Sequence, residues 1–123
     1  MLAALSRHAL VALVALGLFW GVAPLRAQPF VANTEDVPLM RELAPVAGSD
    51  LVFDKPEGRI IEAQARGKVT RFAVRHFYGT ALPQLGWAGR PGDIWTREAE
   101  ALHLDFTGSD GDLTVTFTLS PKK

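Results

Sequence analysis

The chain has 123 residues, in which 13 basic residues balance 13 acidic ones, and it contains no cysteine. The charge balance argues against a nucleic-acid-binding protein, because such proteins normally carry a basic excess. The lack of cysteine excludes a disulfide framework, a thiol nucleophile, a thiolate metal site and lipid attachment to an N-terminal cysteine.

Residues 1–27 are predicted to be a secretory signal peptide. Arg7 supplies a positive charge, an uncharged apolar run covers residues 9–23, and the favoured cleavage point follows Ala27. The alternative is an uncleaved membrane anchor, but the run is shorter than the roughly 18 to 20 apolar residues that cross a bilayer comfortably. No later segment of the sequence is apolar enough to span a membrane. The mature protein is therefore expected to be periplasmic or secreted.

Cleavage after Ala27 leaves 96 residues, which is enough for one small domain. It also removes Arg7 and Arg26, so that 11 basic residues remain against 13 acidic ones and the net charge becomes −2. The mature chain has no basic surplus for binding nucleic acid.

The mature chain is predicted to consist of an arm and a domain. Residues 28–48 contain three prolines and no sustained periodicity, so we expect an extended or disordered arm. Residues 49–123 are predicted to form a single small domain. It begins with a short apolar run at 51–53, followed by turn residues that include Pro56 and Gly58.

A strand and then an amphipathic helix are predicted next. Apolar and polar residues alternate from Ile61 to Arg66, which is the period of a half-buried strand. Thr70 is a plausible helix N-cap, and the helix is predicted to run to about Leu82. At about 100° per residue, one apolar stripe of this helix contains Val74, Phe77, Tyr78, Ala81 and Leu85, with Leu82 at its margin.

The end of the helix is predicted from Pro83. A proline ring presses on the carbonyl group four residues earlier, here that of Gly79, so the helix is expected to bend at Gly79 or, more simply, to stop before Pro83. Gly86 then supplies a permissive turn, and Trp87 is expected to fold back over the helix end.

Three further strands are predicted at 94–97, 102–106 and 113–119. Short turns join them, so they should form an antiparallel meander. The expected inward-facing residues of the sheet are Ile61, Ala63, Leu104, Phe106, Val115 and Phe117. The predicted fold class is α+β: a two-layer sandwich in which one amphipathic helix packs on a mostly antiparallel sheet of three to four strands, in the order strand, helix, strand, strand, strand.

No residue is predicted to be catalytic, and His103 and Asp105 form an alternative candidate site. They are two residues apart on a strand, so both side chains should emerge on the outer face of the sheet, near Thr114, Thr116 or Thr118. A histidine oriented by a carboxylate is one ingredient of general-base or nucleophilic catalysis. The sequence has no nucleophile in a distinctive context. A solvated polar sheet face is therefore favoured over catalysis.

Metal and phosphate sites are weakly supported. Asp110 and Asp112 could offer oxygens to calcium, but their spacing is not that of an EF-hand, and aspartate and glycine are also what a hairpin turn requires. The two histidines that remain after cleavage, His76 and His103, are too far apart in the sequence for a typical zinc ligand pair. No glycine-rich phosphate loop follows a strand. We therefore expect no metal and no cofactor.

Phe72 and His76 are the candidate partner-binding residues. They are four residues apart and lie on the side of the helix opposite the apolar stripe, where charged residues would be expected. One interpretation is that Phe72 tucks under the arm or under the 51–53 segment. The other is that the two rings form a docking surface for a partner.

A resemblance rests on four stretches of the sequence. They are 54–60 (DKPEGRI), Phe77-Tyr78 with 82–87 (LPQLGW), the Arg97-Glu98 hairpin, and the final 113–121 strand (LTVTFTLSP). Over about residues 50–121 the chain resembles small exported proteins of Gram-negative bacteria that have no assigned function. The resemblance implies a periplasmic location and supplies no catalytic residues.

Two functions from different classes are consistent with the sequence. The favoured one is a non-enzymatic periplasmic accessory protein or protein-interaction module, which contacts an envelope protein through Phe72, His76 and the proline-rich arm. The alternative is a small hydrolase or ligand-binding protein that uses the outer sheet face around His103 and Asp105.

Overall fold

The computed structural model describes residues 29–122. This part of the chain forms one antiparallel sheet of seven strands and one α-helix. In chain order the elements are β1 (Ala44–Pro45), β2 (Leu51–Lys55), β3 (Gly58–Gly67), α1 (Arg71–Gln84), β4 (Ala88–Arg90), β5 (Ile94–Arg97), β6 (Glu100–Ser109) and β7 (Asp112–Pro121).

The predicted fold class is wrong, because the protein is richer in β-structure than a helix on three to four strands. The three strands missing from the prediction are β1, β2 and β4. Every residue of β2 is exposed, so its sequence carries no alternation of apolar and polar residues. β1 and β4 contain two and three residues and are too short to show a period. These three segments are strands because they pair with neighbouring strands, and the pattern of apolar residues in their own sequence does not predict them.

The sheet has the order β1-β3-β7-β6-β5-β4, and β2 pairs with the same edge of β3 as β1 does. All neighbouring strands are antiparallel. The central strand β7 places Phe117 between Ala63 of β3 and Leu104 of β6. The long central strands therefore present one continuous apolar face to the helix.

The hydrophobic core lies between this face and α1. Tyr78 of the helix meets Phe117 edge to face, with 5.5 Å between the ring centroids. The predicted inward-facing residues do line the core, with Phe106 partly buried at its margin. On the helix, Val74, Tyr78 and Leu82 are buried, whereas Leu85 is 42% exposed because it ends the helix as the C-cap.

The segment before residue 49 is not an arm. Its buried apolar residues belong to the same core cluster and are Val31, Val37, Leu39, Met40 and Leu43. The Tyr78 hydroxyl ties this segment to the helix, donating to the Pro38 carbonyl (2.8 Å) and accepting from the Met40 amide (3.3 Å). The prediction failed because prolines interrupt the periodicity of a segment that nevertheless packs irregularly over the core.

The predicted signal peptide, residues 1–27, lies outside the described residues. Among residues 29–122, the structure contains no helix with the length and apolarity required to cross a membrane.

The helix does not stop before Pro83 but continues through it to Gln84. Pro83 has no amide hydrogen to donate to the Gly79 carbonyl, and both residues are exposed. Beyond the end, the Gly86 amide donates to the Pro83 carbonyl and the Trp87 amide to the Leu82 carbonyl. This is a Schellman motif, and Gly86 adopts the left-handed conformation that it requires (φ 89°).

Trp87 covers the end of the helix as predicted, and Arg97 holds it in place. The Trp87 side chain is buried, and the Arg97 guanidinium lies 4.5 Å from its ring centroid. The same guanidinium donates to the Leu85 carbonyl (3.1 Å) and forms an ion pair with Asp36. Arg97 therefore joins strand β5, the helix end and the N-terminal segment.

Two glycines test the packing of the N-terminal segment. A Cβ atom added to Gly67 would clash with the Glu42 backbone carbonyl, so Gly67→Ala should lower the free energy of unfolding by about 1–3 kcal/mol. A Cβ atom added to Gly79 meets nothing within 4 Å, so Gly79→Ala should raise that free energy by about 0.5–1 kcal/mol. Urea unfolding monitored by circular dichroism measures both. Equal effects of the two substitutions would contradict the close approach of the segment to β3.

Candidate interaction surface

The helix that carries Phe72 and His76 begins where the sequence predicted. The Thr70 side chain accepts a hydrogen bond from the Ala73 amide (3.0 Å), which satisfies one of the free amides of the first turn. Val74 and Tyr78 then turn toward the sheet and are buried, which directs the opposite side of the helix toward solvent.

Four residues on this outer side form what we call the helix stripe: Phe72, His76, Gly79 and Pro83. At about 100° per residue they fall within a band about 60° wide. All four are exposed, and none carries a permanent charge. An exposed helix face usually bears charged residues, so a neutral face that includes an aromatic ring is unusual.

Phe72 is the most exposed large apolar residue of the described chain, at 80% of its surface. The interpretation that it tucks under the N-terminal segment or under residues 51–53 is therefore wrong. Its ring stacks against that of His76, with 6.3 Å between centroids and an interplanar angle of 15°. The Thr80 hydroxyl donates to the His76 carbonyl (3.0 Å). The two predicted partner-binding residues thus form one contiguous aromatic surface.

The arginines that flank the stripe are already paired. Arg75 binds Asp93 with two hydrogen bonds (2.9 and 3.0 Å), and its guanidinium lies 5.0 Å from the Phe106 ring centroid. The hydrogen bond and the charge of Asp93 raise the pKa of Arg75 above its ordinary value. Arg71 donates to the Gly108 carbonyl (2.9 Å) and forms an ion pair with Asp110 (3.5 Å). The helix stripe is therefore bordered by neutralised charges.

Sequence reasoning missed Pro83 as a member of the stripe. It placed the end of the helix before Pro83, although the spacing from Phe72 to Pro83 is three helical turns and would have put both on one side. Gly79 lies between His76 and Pro83 and leaves open space above the helix backbone.

The structure places His103 and Asp105 on the outer face of the sheet. His103 lies opposite Thr118 and Asp105 opposite Thr116, and both are exposed. The described residues include no hydrogen bond between His103 and Asp105; the Asp105 carboxylate accepts instead from the Phe106 amide (3.1 Å). Among residues 29–122, no hydrogen bond orients the His103 imidazole as a general base requires.

A cavity of about 570 Å³ is lined by Thr118, the cross-strand neighbour of His103, but not by His103 itself. Its walls are formed by Lys55, Glu57, Ile60, Thr118, Ser120, Pro121 and Lys122. Neither His103 nor Asp105 borders it. The cavity and the His103/Asp105 pair therefore do not form one site.

The carboxylates of the 110–112 turn are engaged by arginines. Asp112 binds Arg66 with two hydrogen bonds of 2.8 Å, and Asp110 accepts from the Arg71 amide (3.0 Å). Gly111 adopts a positive φ of 93°, as a tight hairpin requires. Across residues 29–122, no three side chains of His, Asp or Glu come together to hold a metal ion.

Comparison with known proteins adds no assignment: no protein-family model, curated protein or solved structure matches this chain.

Proposed function

We propose that the protein is a non-enzymatic interaction module that docks on a protein partner in the cell envelope through the helix stripe. The exposure of Phe72 is the observation that carries the proposal. The Phe72 ring is 80% exposed, so its burial by a partner would contribute a large favourable term to the free energy of binding. Aromatic residues often dominate the binding energy of an interface. The periplasmic location remains a prediction from the apolar N-terminal segment.

The chemistry of the stripe defines the kind of partner surface that fits it. The stripe offers two stacked rings, a gap at Gly79 and a proline ring, without a permanent charge. Burial of an unpaired charge against such a surface would be unfavourable. The partner should therefore present an uncharged apolar surface, with a side chain that fills the gap at Gly79.

The substitution Phe72→Glu tests the proposal. Phe72 is exposed and lies in the first helical turn, where a negative charge interacts favourably with the helix dipole. The free energy of unfolding should therefore change by no more than about 0.5 kcal/mol. Binding to the partner should weaken about tenfold or more. The measurement is a pull-down of C-terminally tagged protein from detergent-solubilised envelope, with the partner quantified against the tagged chain.

Two control variants make the result specific. Ile94→Glu adds the same charge at another exposed apolar residue (36%), on strand β5 and outside the helix stripe, and should retain the partner. His103→Ala should also retain it. Equal recovery of the partner by Phe72→Glu and wild type would disprove docking through the stripe. A protein that comes down alone and loses an enzymatic activity in His103→Ala would establish the hydrolase alternative.

A further inference from the structure

Strand β2 is an exposed edge strand whose first three residues are apolar. Leu51, Val52 and Phe53 are 56%, 45% and 43% exposed, although all three are apolar. β2 pairs with β3 along one side and, among the described residues, with no strand along its other side. Natural edge strands are usually protected by charges, prolines or bulges, and these three residues carry none of them.

The free side of β2 is ready to form backbone hydrogen bonds. The Gln64 amide donates to the Ser49 hydroxyl (3.1 Å), and the Gln64 carbonyl accepts from the Val46 amide (2.9 Å). Even-numbered residues of β3 therefore direct their backbone groups toward β2. Because hydrogen-bonded pairs alternate along antiparallel strands, β2 bonds to them through Leu51, Phe53 and Lys55. The amides and carbonyls of Val52 and Asp54 point away from β3.

We propose that β2 pairs with β2 of a second copy of this chain, antiparallel and around a two-fold axis at Phe53. In this register Phe53 lies opposite its counterpart, Val52 opposite Asp54, and Leu51 opposite Lys55. The outward backbone groups of Val52 and Asp54 then bond to those of Asp54 and Val52 in the other copy. The two sheets become one continuous sheet.

Charge favours this register of the self-pair over its neighbours. Residues directly opposite each other have their side chains on the same face of the sheet. The nearest alternative registers therefore move one strand by two residues relative to the other. One of them places Asp54 opposite Asp50 of the other copy, and the other places Asp54 opposite Asp54. Like charges directly opposite each other destabilise a strand pair. The register centred on Phe53 sets no two like charges directly opposite and adds an aromatic cross-strand pair.

Charge reversal at the two-fold axis tests the proposal. Sedimentation equilibrium of the purified wild-type chain should show a monomer–dimer equilibrium. Phe53→Lys and Phe53→Glu should each weaken dimerisation at least about tenfold, because each places a charge opposite itself. An equal mixture of the two variants should regain the dimer, since lysine then faces glutamate. A monomeric wild type at all concentrations, a dimer unaffected by either variant, or a mixture that stays monomeric would overturn the proposal.

A cysteine variant provides a second test that does not depend on charge. The chain has no cysteine, so Phe53→Cys introduces a single thiol. Opposed residues of a non-hydrogen-bonded pair have Cα atoms about 4.5 Å apart, within the range of about 4.4–6.8 Å that a disulfide spans. Mild oxidation should therefore cross-link Phe53→Cys to a dimer faster than Phe72→Cys, whose site is more exposed but lies outside the interface. Faster cross-linking of Phe72→Cys would overturn the proposal. Both tests use the purified chain alone, so they are independent of an envelope partner.

Discussion

Replacement of Phe117 by alanine should lower the free energy of unfolding by about 3–5 kcal/mol. Phe117 is 2% exposed and lies on the central strand β7, where its neighbours across the sheet are Ala63 and Leu104. Because the side chain of Ala63 is small, the Phe117 ring fills the space below Tyr78. Removal of the Phe117 ring therefore leaves a cavity that the sheet cannot close. Urea unfolding monitored by circular dichroism gives the magnitude.

Phe72→Ala is the matched control for this prediction. It deletes the same ring from a position that is 80% exposed, so the free energy of unfolding should change by no more than about 0.5 kcal/mol. Losses of similar size in Phe117→Ala and Phe72→Ala would show that the core does not centre on β7.

Tyr78→Phe should lower the free energy of unfolding by about 2–6 kcal/mol, because it leaves two buried backbone groups without a partner at about 1–3 kcal/mol each. These groups are the Pro38 carbonyl and the Met40 amide, both held by the Tyr78 hydroxyl. The volume of the core hardly changes, so the loss reports on the hydrogen bonds. A change below about 0.5 kcal/mol would show that the N-terminal segment is not fastened to the helix in this way.

The same hydroxyl gives stability a dependence on high pH. Burial raises the pKa of Tyr78 far above its ordinary value, and the hydrogen bond from the Met40 amide lowers it slightly. Tyrosine in the unfolded chain ionises at about pH 10, whereas Tyr78 in the folded chain keeps its proton there. Above about pH 10 the unfolded state therefore binds fewer protons, and the free energy of unfolding falls as the pH rises.

Tyr78 is the only tyrosine in the chain, so ultraviolet titration of phenolate reports on it alone. The folded protein should show phenolate only at a pH above that of the urea-unfolded chain. Tyr78→Phe should remove the contribution of this group to the decline in stability above about pH 10. Titration of the folded protein at the same pH as the unfolded chain would contradict the burial of the hydroxyl.

The two proposed surfaces are compatible with each other. A two-fold axis perpendicular to the joined sheet keeps both inner faces on the same side, so the two copies of α1 lie on one side as well. Each copy then presents its helix stripe in the same direction. A partner with two binding sites of suitable spacing would bind such a dimer more tightly than the monomer, because the second contact is intramolecular.

Local periodicity determined much of the core from the sequence. Alternation around Ala63, Leu104 and Val115 identified the buried faces of β3, β6 and β7, because successive residues of a strand point to opposite faces. Thr70 marked the start of the helix, since its hydroxyl can take a free amide of the first turn. The prediction that Phe72 and His76 lie opposite the apolar stripe follows from the same geometry.

Contacts between distant segments decided the rest. Pattern shows which face of an element is apolar, but it does not show what covers that face or which segments pair. The segment that buries Val37 and Leu39 is joined to the helix by the Tyr78 hydroxyl, 40 residues after Pro38. Strand β2 forms because β3 supplies its hydrogen bonds. Phe72 remains exposed because no segment among residues 29–122 reaches the outer side of α1. Tertiary structure alone therefore made the helix stripe and the free edge of β2 available for binding.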